Sequence, residues 1–332
     1  MKDDRPVTLA WSGKNSSIGD RPRLAKAAPK GEKLEPAHTF ACGEIYRGDN
    51  LEILSALALQ APETVTLAYL DPPFLTGRLH AKIIKGDSLD HRTTRVAFDD
   101  RWTDRAAYLQ ALGDRITETR RLLAPHGSIV VHVDTKTSHY VKVMMDEIFG
   151  EECFASEIVW RYRRWPSKTP NFQRVHDVLL RYRKDAGVAP RWNTLYEPLA
   201  PSTLATWGKN KQRAVVSDTG RRARSSTTEE KSHGVPMGDV WDIGVIAPVA
   251  KERTGYPSQK PEALLDRLIS ALSSEDDVVL DPYAGSGTTL AVAARLGRKF
   301  IGIDASDVAM ETLIGRLESL IGPAYARRKL TR

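Results

Sequence analysis

The chain has 332 residues, of which 41% are hydrophobic and 27% are charged, and its formal net charge is +7 at pH 7. No apolar run approaches the roughly 20 residues of a membrane span, the charged N-terminus lacks a signal-peptide core, and Cys42 and Cys153 have neither metal-ligand nor disulfide-framework spacing. These features exclude a membrane protein and a disulfide-built secreted domain, and they predict a cytoplasmic protein of one large α/β domain or two smaller ones, without a metal site.

The N-terminal part contains little regular pattern before its first strand. Residues 1–38 mix Lys, Arg, Pro, Gly and Ser without apolar periodicity, which predicts a mobile, basic extension. A short strand from Ile45 then passes through Gly48 and Asp49 into a helix with apolar residues at helical spacing. By position, Asp49 is expected to cap that helix.

A central strand at residues 64–71 ends in the tetrapeptide Asp71-Pro72-Pro73-Phe74. Two prolines cannot continue such a strand, so the backbone leaves the sheet in a fixed direction with unpaired carbonyl groups. A rigid carboxylate, free carbonyls and an aromatic ring together suit the binding of an amine on a flat base. The polar stretch 75–101 lacks clear periodicity and predicts a flexible loop over this site.

Helices and strands alternate over the next part of the chain, which indicates a mostly parallel sheet with helices on both faces. The predicted elements are a helix at about 104–123, a strand at 128–134, a helix at about 136–149 and two strands at 154–160 and 177–183. The last two strands predict an antiparallel hairpin at a sheet edge.

The middle of the chain carries the positive charge. Residues 155–235 hold 16 Lys or Arg and 7 Asp or Glu, with aromatic residues such as Trp160, Trp165 and Trp192 interleaved. This pattern is the electrostatic footprint of a surface that binds a polyanion. From 185 to 238 the apolar pattern dissolves into Pro, Ser, Thr, Lys and Arg, which predicts an irregular module inserted into the core.

The stretch Asp281-Pro-Tyr-Ala-Gly-Ser-Gly-Thr-Thr289 combines a strand end, a glycine turn and a helix start. Gly285 and Gly287 let the backbone turn tightly beside a ligand, and Asp304, which ends the next strand, has the position of a residue that binds ribose hydroxyls. Asp281 at the strand end disfavours a pyrophosphate and favours a cationic nucleoside such as S-adenosylmethionine. We therefore predict half of a Rossmann-like unit with that ligand.

Four motifs occur in order along the chain: DPPF at 71–74, PSQKP at 257–261, DPYAGSGTT at 281–289 and FIGID at 300–304. With a basic variable region between the first and the second, this arrangement resembles the β group of DNA amino-methyltransferases. The resemblance implies an α/β fold with a Rossmann-like S-adenosylmethionine methyltransferase sheet, mostly parallel with one antiparallel strand. The expected organisation is an extension at 1–38, a catalytic and cofactor-binding domain at 39–184 and 239–322, a target recognition insertion at 185–238 and a basic tail at 323–332.

The resemblance assigns catalysis to Asp71, Pro72, Pro73 and Phe74. Asp71 and the carbonyl of Pro72 would accept the two N–H bonds of an exocyclic amine, in a direct displacement without a covalent enzyme intermediate. Phe74 would stack on a base that has been flipped out of the duplex.

The resemblance also implies a cofactor site for S-adenosylmethionine. Lys260 would pair with the carboxylate of its methionine part, Asp304 with its ribose hydroxyls, and Asp49 would lie near its adenine, beyond a capping role. The implied cofactor-binding residues are Asp49, Ser258, Gln259, Lys260, Asp281, Pro282, Tyr283, Gly285, Ser286, Gly287, Thr288, Thr289 and Asp304.

Double-stranded DNA is the implied partner, bound through phosphates by basic residues. The candidates are Arg161, Arg163, Arg164, Lys168, Arg221, Arg222 and Arg224. His176, beside Asp177, is more typical of a structural than of a catalytic histidine. The resemblance suggests two further partners, a second copy of the chain in a homodimer and a cognate restriction endonuclease. It also suggests that the protein is associated with the nucleoid.

Adenine N6 is the first predicted acceptor, because Asp-Pro-Pro followed by an aromatic residue is commoner among the adenine enzymes of the family. Cytosine N4 methylation on the same fold is the alternative. A nucleic-acid-binding protein without activity and an RNA methyltransferase are two further readings. Intact Asp71, Gly285 and Asp304 disfavour the first of these, and the long basic insertion disfavours the second.

Overall fold

The structure is a computed structural model that describes residues 8–11, 14, 34–85, 92–166, 168, 170–213, 216, 218–221 and 226–322. Most of the predicted extension, the predicted tail at 323–332, and Arg222 and Arg224 lie outside the described residues. None of the described helices is long and apolar enough to cross a membrane.

Helices and strands alternate along much of the described chain, as the sequence predicts. In order they are β1 (His38–Phe40), β2 (Gly43–Arg47), α1 (Asn50–Gln60), β3 (Val65–Leu70), β4 (Leu79–Lys85), β5 (Arg92–Asp99), α2 (Arg105–Leu122), β6 (Leu123–Val133), α3 (Ser138–Phe149), β7 (Phe154–Arg161), β8 (His176–Arg183), β9 (Tyr196–Glu197), α4 (Pro201–Trp207), β10 (Asn210–Arg213), β11 (Ser226–Lys231), β12 (Val235–Pro236), β13 (Val240–Asp242), α5 (Glu262–Leu272), β14 (Val278–Asp281), α6 (Thr288–Arg295), β15 (Lys299–Asp304) and α7 (Asp307–Ile321).

The chain divides into a larger unit, Met1–Trp192 with Asp239–Arg332, and a smaller unit, Asn193–Gly238. In the smaller unit β9 pairs with β12 and β10 pairs with β11, both antiparallel. The smaller unit contains most of the insertion predicted at 185–238. Residues 185–192 belong to the larger unit, where the amide of Arg191 donates to the carbonyl of His126 at 2.9 Å.

A sheet of nine strands organises the described part of the larger unit, in the order β1-β2-β15-β14-β3-β6-β8-β7-β13. Neighbours from β2 to β6 are parallel, whereas β8 is antiparallel to both β6 and β7. This is the predicted sheet with its antiparallel strand. A second antiparallel strand, β1, lies at the edge of the sheet beside β2. The predicted hairpin of β7 and β8 is present, but it is not at the edge, because β13 pairs beyond β7.

Residues 75–101 were expected as a flexible loop, and this expectation is wrong, because β4 and β5 form an antiparallel hairpin. The side chains of β5 alternate, so that Val96 is exposed while Ala97 is buried in a cluster with Val308 and Ala309 of α7. The sequence gives little sign of this strand because Ala97 is the one buried residue described in β5 and its packing depends on a helix far along the chain.

Different helices cover the two faces of the sheet. Helices α1, α2 and α3 share a buried cluster with Ala68, Leu70 and Val131. Tyr69 and His132 are buried as well but point to the opposite face, because side chains alternate along a strand. Helices α5, α6 and α7 form the layer on that side. The ends of the strands are therefore the part of the sheet that these helices leave uncovered.

Helix α1 offers a matched test of this packing, since Leu54 is fully buried and Leu59 on the same helix is 42% exposed. Leu54→Ala is expected to lower the free energy of unfolding by about 2–5 kcal/mol, because it removes buried methyl groups and leaves a cavity. Leu59→Ala is expected to change it by about 0.5 kcal/mol or less. Urea unfolding followed by circular dichroism measures both, and equal losses would show that α1 packs differently.

Candidate active site

Four carboxylates lie at or just beyond the carboxyl ends of neighbouring strands in the sheet. Asp281 and Asp304 end β14 and β15, Asp71 directly follows β3, and Asp49 follows β2. The four strands are parallel neighbours, so their carboxyl ends meet. A cavity of about 370 Å³ opens there, as expected outside the carboxyl ends of such strands. All the predicted catalytic and cofactor-binding residues line it except Gly287.

The glycine turn has the tight geometry that its sequence predicts. Gly285 and Gly287 have φ values of 50° and 72°, which favour glycine. A side chain on Gly287 would also come within 2.8 Å of the Cβ atom of Leu313. One oxygen of Asp304 accepts from the amide of Gly285 at 2.8 Å and the other from the amide of Ser306 at 2.9 Å. Asp304 therefore fixes the turn as well as lining the cavity.

Asp281 is almost completely buried. Its carboxylate accepts from the amide of Tyr283 at 3.0 Å. Burial raises the pKa of Asp281 to about 7, and the carboxylates of Asp71 and Asp304 add to this, against hydrogen bonds from Thr289 and Tyr283. A negative charge that is costly to form in this position would be stabilised by a cationic group in the cavity.

Asp49 both caps a helix and faces the cavity. Its side chain accepts from the amide of Leu51 at 2.7 Å, and its other oxygen pairs with Arg115 at 2.9 Å. The next residue, Asn50, donates to the carbonyl of Pro282 at 2.7 Å. These contacts join the start of α1 to the loop after β14.

The Asp71–Phe74 turn is held by a carboxylate that the sequence did not single out. Asp100 is buried and accepts from the amides of Leu75 and Thr76, at 2.9 and 2.8 Å, and from the hydroxyl of Thr76 at 2.6 Å. These bonds stabilise the left-handed conformation of Leu75, whose φ is 55°. In the sequence Asp100 is one of four acidic residues in the polar stretch 75–101, which carries no signal of this role.

Lys260 is paired with the predicted catalytic carboxylate. Its Nζ atom lies 2.5 Å from Oδ2 of Asp71, 5.0 Å from the centre of the Phe74 ring and 3.4 Å from the carbonyl oxygen of Ser258. The ammonium group thus lies between the carboxylate of Asp71 and the ring of Phe74.

A buried histidine stands behind Asp71. The Nδ1 atom of His132 lies 2.8 Å from the hydroxyl of Tyr69 and 3.7 Å from Oδ1 of Asp71, and its Nε2 atom lies 3.4 Å from Asp177. Sequence reasoning missed His132 and Asp177. The available signal was a polar residue within the apolar strand at 128–134, which parallel strands rarely tolerate without a partner.

The end of β7 and the loop that follows it carry four of the predicted DNA-binding residues. Arg163 and Lys168 are exposed, Arg164 donates to the hydroxyl of Tyr162 at 3.1 Å, and Arg161 forms an ion pair with Asp242. Trp165 and Phe172 in the same loop are also exposed. Of the other three candidates, Arg221 is exposed in the smaller unit, and Arg222 and Arg224 are outside the described residues.

Comparison with known proteins identifies the family. Residues 65–314 match the model of the N6 and N4 DNA methylases. The chain belongs to this family. The methylase is 28% identical over 289 residues to the DNA adenine methyltransferase YhdJ of Escherichia coli, a match that covers 87% of the chain and 86% of the relative. It is 29% identical over 266 residues to the Type II methyltransferase M.HpaI of Haemophilus parainfluenzae, covering 80% and 72%.

Solved structures share the fold of the methylase. The PvuII DNA methyltransferase, which is cytosine-N4-specific, aligns with a TM-score of 0.56 at 19% identity over 88% of this chain and 94% of that chain. The complex of M1.HpyAVI with S-adenosylmethionine aligns with a TM-score of 0.51 at 20% identity over 83% and 98%. These findings confirm the predicted Rossmann-like fold and family: a DNA amino-methyltransferase that uses S-adenosylmethionine.

The raised pKa of Asp281 predicts a pH-dependent affinity for S-adenosylmethionine. A cationic ligand favours the ionised carboxylate, so binding below the value of about 7 should release a proton. The ionisation of Asp281 alone should raise the affinity about tenfold from pH 6 to pH 8, and loss of the proton from the ligand's own α-amino group should lower the affinity again above about pH 8. Calorimetric titrations in buffers of different ionisation enthalpy measure both effects.

Asp281→Asn is the control for this titration, because it removes the carboxyl group and leaves any titration of the ligand itself. The variant should bind more weakly, with the Asp281 component of the pH dependence gone. Asp266 is half-buried on α5, pairs with Arg295 and does not line the cavity, so Asp266→Asn should bind S-adenosylmethionine as the parent does. An identical pH profile in the Asp281→Asn variant would contradict the assignment.

Proposed function

We propose that this methylase transfers a methyl group from S-adenosylmethionine to the N6 amine of an adenine that has been rotated out of double-stranded DNA. The observation that carries the proposal is that the Asp71–Phe74 turn and the glycine turn line one cavity. Adenine is favoured by the aspartate and the aromatic residue of the motif. The E. coli relative, matched along most of both chains, is named an adenine methyltransferase. Cytosine N4 is the second candidate, named in the PvuII structure.

The catalytic turn would act on the amine of the base. Such an amine is a weak nucleophile because its lone pair is delocalised into the ring. Asp71 and the carbonyl of Pro72 accept its two N–H bonds and favour a pyramidal nitrogen, while Phe74 stacks on the base. Bound in the cavity, S-adenosylmethionine supplies an electrophilic methyl group. The bonds from Leu75 and Thr76 to Asp100 fix the chain directly after the turn, which supports acceptors that would be in place before the base arrives.

The other carboxylates would hold the methyl donor. Asp281 takes its ammonium group, which fits the buried position and raised pKa of this carboxyl. Asp304 takes the ribose hydroxyls, and Asp49 lies toward the adenine. Binding the donor supplies positive charge to a cavity in which four carboxylates converge.

Lys260 would change partners during the reaction. Its ammonium group is bound to Asp71 at 2.5 Å, so this oxygen of Asp71 has no room for a base amine until Lys260 leaves. The carboxylate of S-adenosylmethionine offers Lys260 an alternative partner of the same charge. Donor binding would thus free Asp71 and favour entry of the base.

DNA binding is proposed for two regions. The loop of residues 162–175 offers arginines and exposed aromatic rings, and the smaller unit would read the target sequence. The base must leave the duplex to reach the cavity. A homodimer, a paired endonuclease and a location at the nucleoid remain predictions from the family.

Nucleoside analysis of DNA from cells expressing the methylase tests the proposal, with Asp71→Ala as the inactive control. N6-methyladenine is the expected product, and N4-methylcytosine would select the second candidate. Asp71→Ala should abolish transfer and still bind S-adenosylmethionine at least as tightly as the parent, because Lys260 no longer has an ion pair to break. A collapse of donor affinity in Asp71→Ala would overturn the assignment of Asp71.

Lys260→Met tests the exchange of partners. The variant should bind S-adenosylhomocysteine about 10–100-fold more weakly, because a charge-assisted contact is lost. It should also lose coupling: in the parent, S-adenosylhomocysteine should tighten binding of DNA with a mismatched target base, and in the variant it should not. Fluorescence anisotropy with and without the ligand measures this coupling. Equal coupling in both proteins would remove Lys260 from this role.

A further inference from the structure

The side chain of Trp165 lies almost entirely in solvent. Trp165 is 94% exposed and belongs to the loop between β7 and β8, in which Phe172 is fully exposed as well. No other tryptophan of the described chain is more than 51% exposed. An indole ring buries a large apolar area when it meets a partner, so an isolated exposed ring in a loop is a candidate contact residue.

The loop is tied to the sheet at its base. The amide of Tyr162 donates to the carbonyl of Val175 at 2.8 Å, which closes the loop. The side chain of Tyr162 is buried, and its hydroxyl donates to Asp177 at 3.0 Å. Across the loop, the side chain of Gln173 donates to the carbonyl of Trp165 at 2.6 Å. The ring of Trp165 is therefore presented to solvent on a backbone that the sheet holds in place.

Pro166 further restricts the backbone of Trp165. A residue before proline is disfavoured in the helical region and adopts extended conformations. Trp165 accordingly loses less conformational freedom than an ordinary loop residue when its ring is fixed against a partner. Phe172 is followed by Gln173 and lacks this restriction. Of the two exposed rings, Trp165 is the one that is organised in advance for a contact.

The charges around Trp165 favour a nucleic acid as the partner. Arg163 and Arg164 precede the ring and Lys168 follows it, and all three are exposed. Between residues 162 and 175 the sequence has no Asp or Glu. Two copies of such a loop would repel each other, whereas a polyanion with flat bases offers both charge and stacking surfaces.

The base of the loop stands beside the catalytic turn. Asp177, which binds the hydroxyl of Tyr162, lies 3.4 Å from Nε2 of His132, and Nδ1 of the same ring lies 3.7 Å from Asp71. Trp165 follows Tyr162 by three residues, which span no more than about 11 Å of chain. A duplex that delivers a base to Asp71 therefore passes close to Trp165.

We infer that the ring of Trp165 enters the base stack and fills the position that the target base leaves, an inference that rests on the proposed function. A base that rotates out of the duplex leaves its two neighbours without a stacking partner. The indole ring stacks on these neighbours, while the exposed cations beside it bind phosphates. Trp165 stabilises the extruded state of the target and takes no part in the chemistry at Asp71.

Binding to a duplex with an abasic target position tests this role without catalysis. The duplex carries the site identified by sequencing methylated DNA from expressing cells, and S-adenosylhomocysteine is present. Trp165→Ala should bind this duplex about 10–100-fold more weakly than the parent, because the ring no longer stacks in the gap. On an intact duplex without the site, the two affinities should agree within about threefold. An equal loss on both duplexes would overturn the inference, since it would mark a contact outside the gap.

Rescue by a base analogue gives the second test. Single-turnover methylation at subsaturating DNA should be about 10–100-fold slower in Trp165→Ala than in the parent on an ordinary duplex. A pyrene nucleotide opposite the target base fills the gap itself, so on that duplex the variant should come within about threefold of the parent. A defect that pyrene leaves unchanged would contradict the insertion of Trp165.

Two controls separate this role from other uses of an exposed ring. Leu59→Ala removes an exposed hydrophobic side chain from α1 and should behave as the parent on every duplex. Phe172→Ala removes the other ring of the loop, and rescue by pyrene in this variant but not in Trp165→Ala would assign the gap to Phe172 instead. The salt dependence of DNA binding should be the same in Trp165→Ala and the parent, because no phosphate contact is lost.

The remaining outcomes distinguish this inference from the proposed function. Sedimentation should give the same mass for Trp165→Ala and the parent, and dissociation of a parent dimer with unchanged DNA binding would show that the ring packs on a second copy. An active parent whose Trp165→Ala variant behaves identically would overturn the role of Trp165 alone. A parent that methylates no DNA would instead overturn the proposed function.

Discussion

Four carboxylates share one cavity, and the site depends on how their negative charges are neutralised. Parallel strands bring Asp49, Asp71, Asp281 and Asp304 to the same edge, where water is partly excluded. In the described structure Arg115 neutralises the first and Lys260 the second. Asp281 and Asp304 rely on backbone amides, and burial raises the pKa of both. A ligand that brings an ammonium and a sulfonium group would relieve this imbalance, so under the proposed assignment the cavity would select its methyl donor by charge as well as by shape.

The ion pair between Lys260 and Asp71 links the two halves of the reaction. Lys260 belongs to the segment that precedes α5, and Asp71 follows β3, so the contact joins parts of the chain that are distant in sequence. In one arrangement the pair is closed and the acceptor site is filled by the lysine side chain itself. In the arrangement that we propose for the bound state, the carboxylate of S-adenosylmethionine would compete for the lysine. Such an exchange would make the affinity for the second substrate depend on the first, and the dependence would be reciprocal.

Much of this site could be predicted from the sequence, because its motifs are local. Neighbouring residues determine the geometry of a strand that ends in Asp71 and two prolines. The same holds for a glycine turn between a strand and a helix. Asp100 and His132 could not be found in this way. Their roles arise from contacts with Thr76 and Asp177, on other segments, which composition and periodicity do not encode. The hairpin of β4 and β5 was not predicted for the same reason, since its buried residue packs against α7.

The reversed direction of β8 has a topological consequence. Because β8 is antiparallel to β7, the loop at 162–175 leaves and re-enters the sheet at the same edge as Asp71. A parallel crossover would instead have carried the chain to the far edge and back through a helix. The loop can therefore lengthen, shorten or change its residues without altering the pairing of either strand. If this loop contacts DNA as proposed, its DNA contacts could change without a change in the residues that line the cavity.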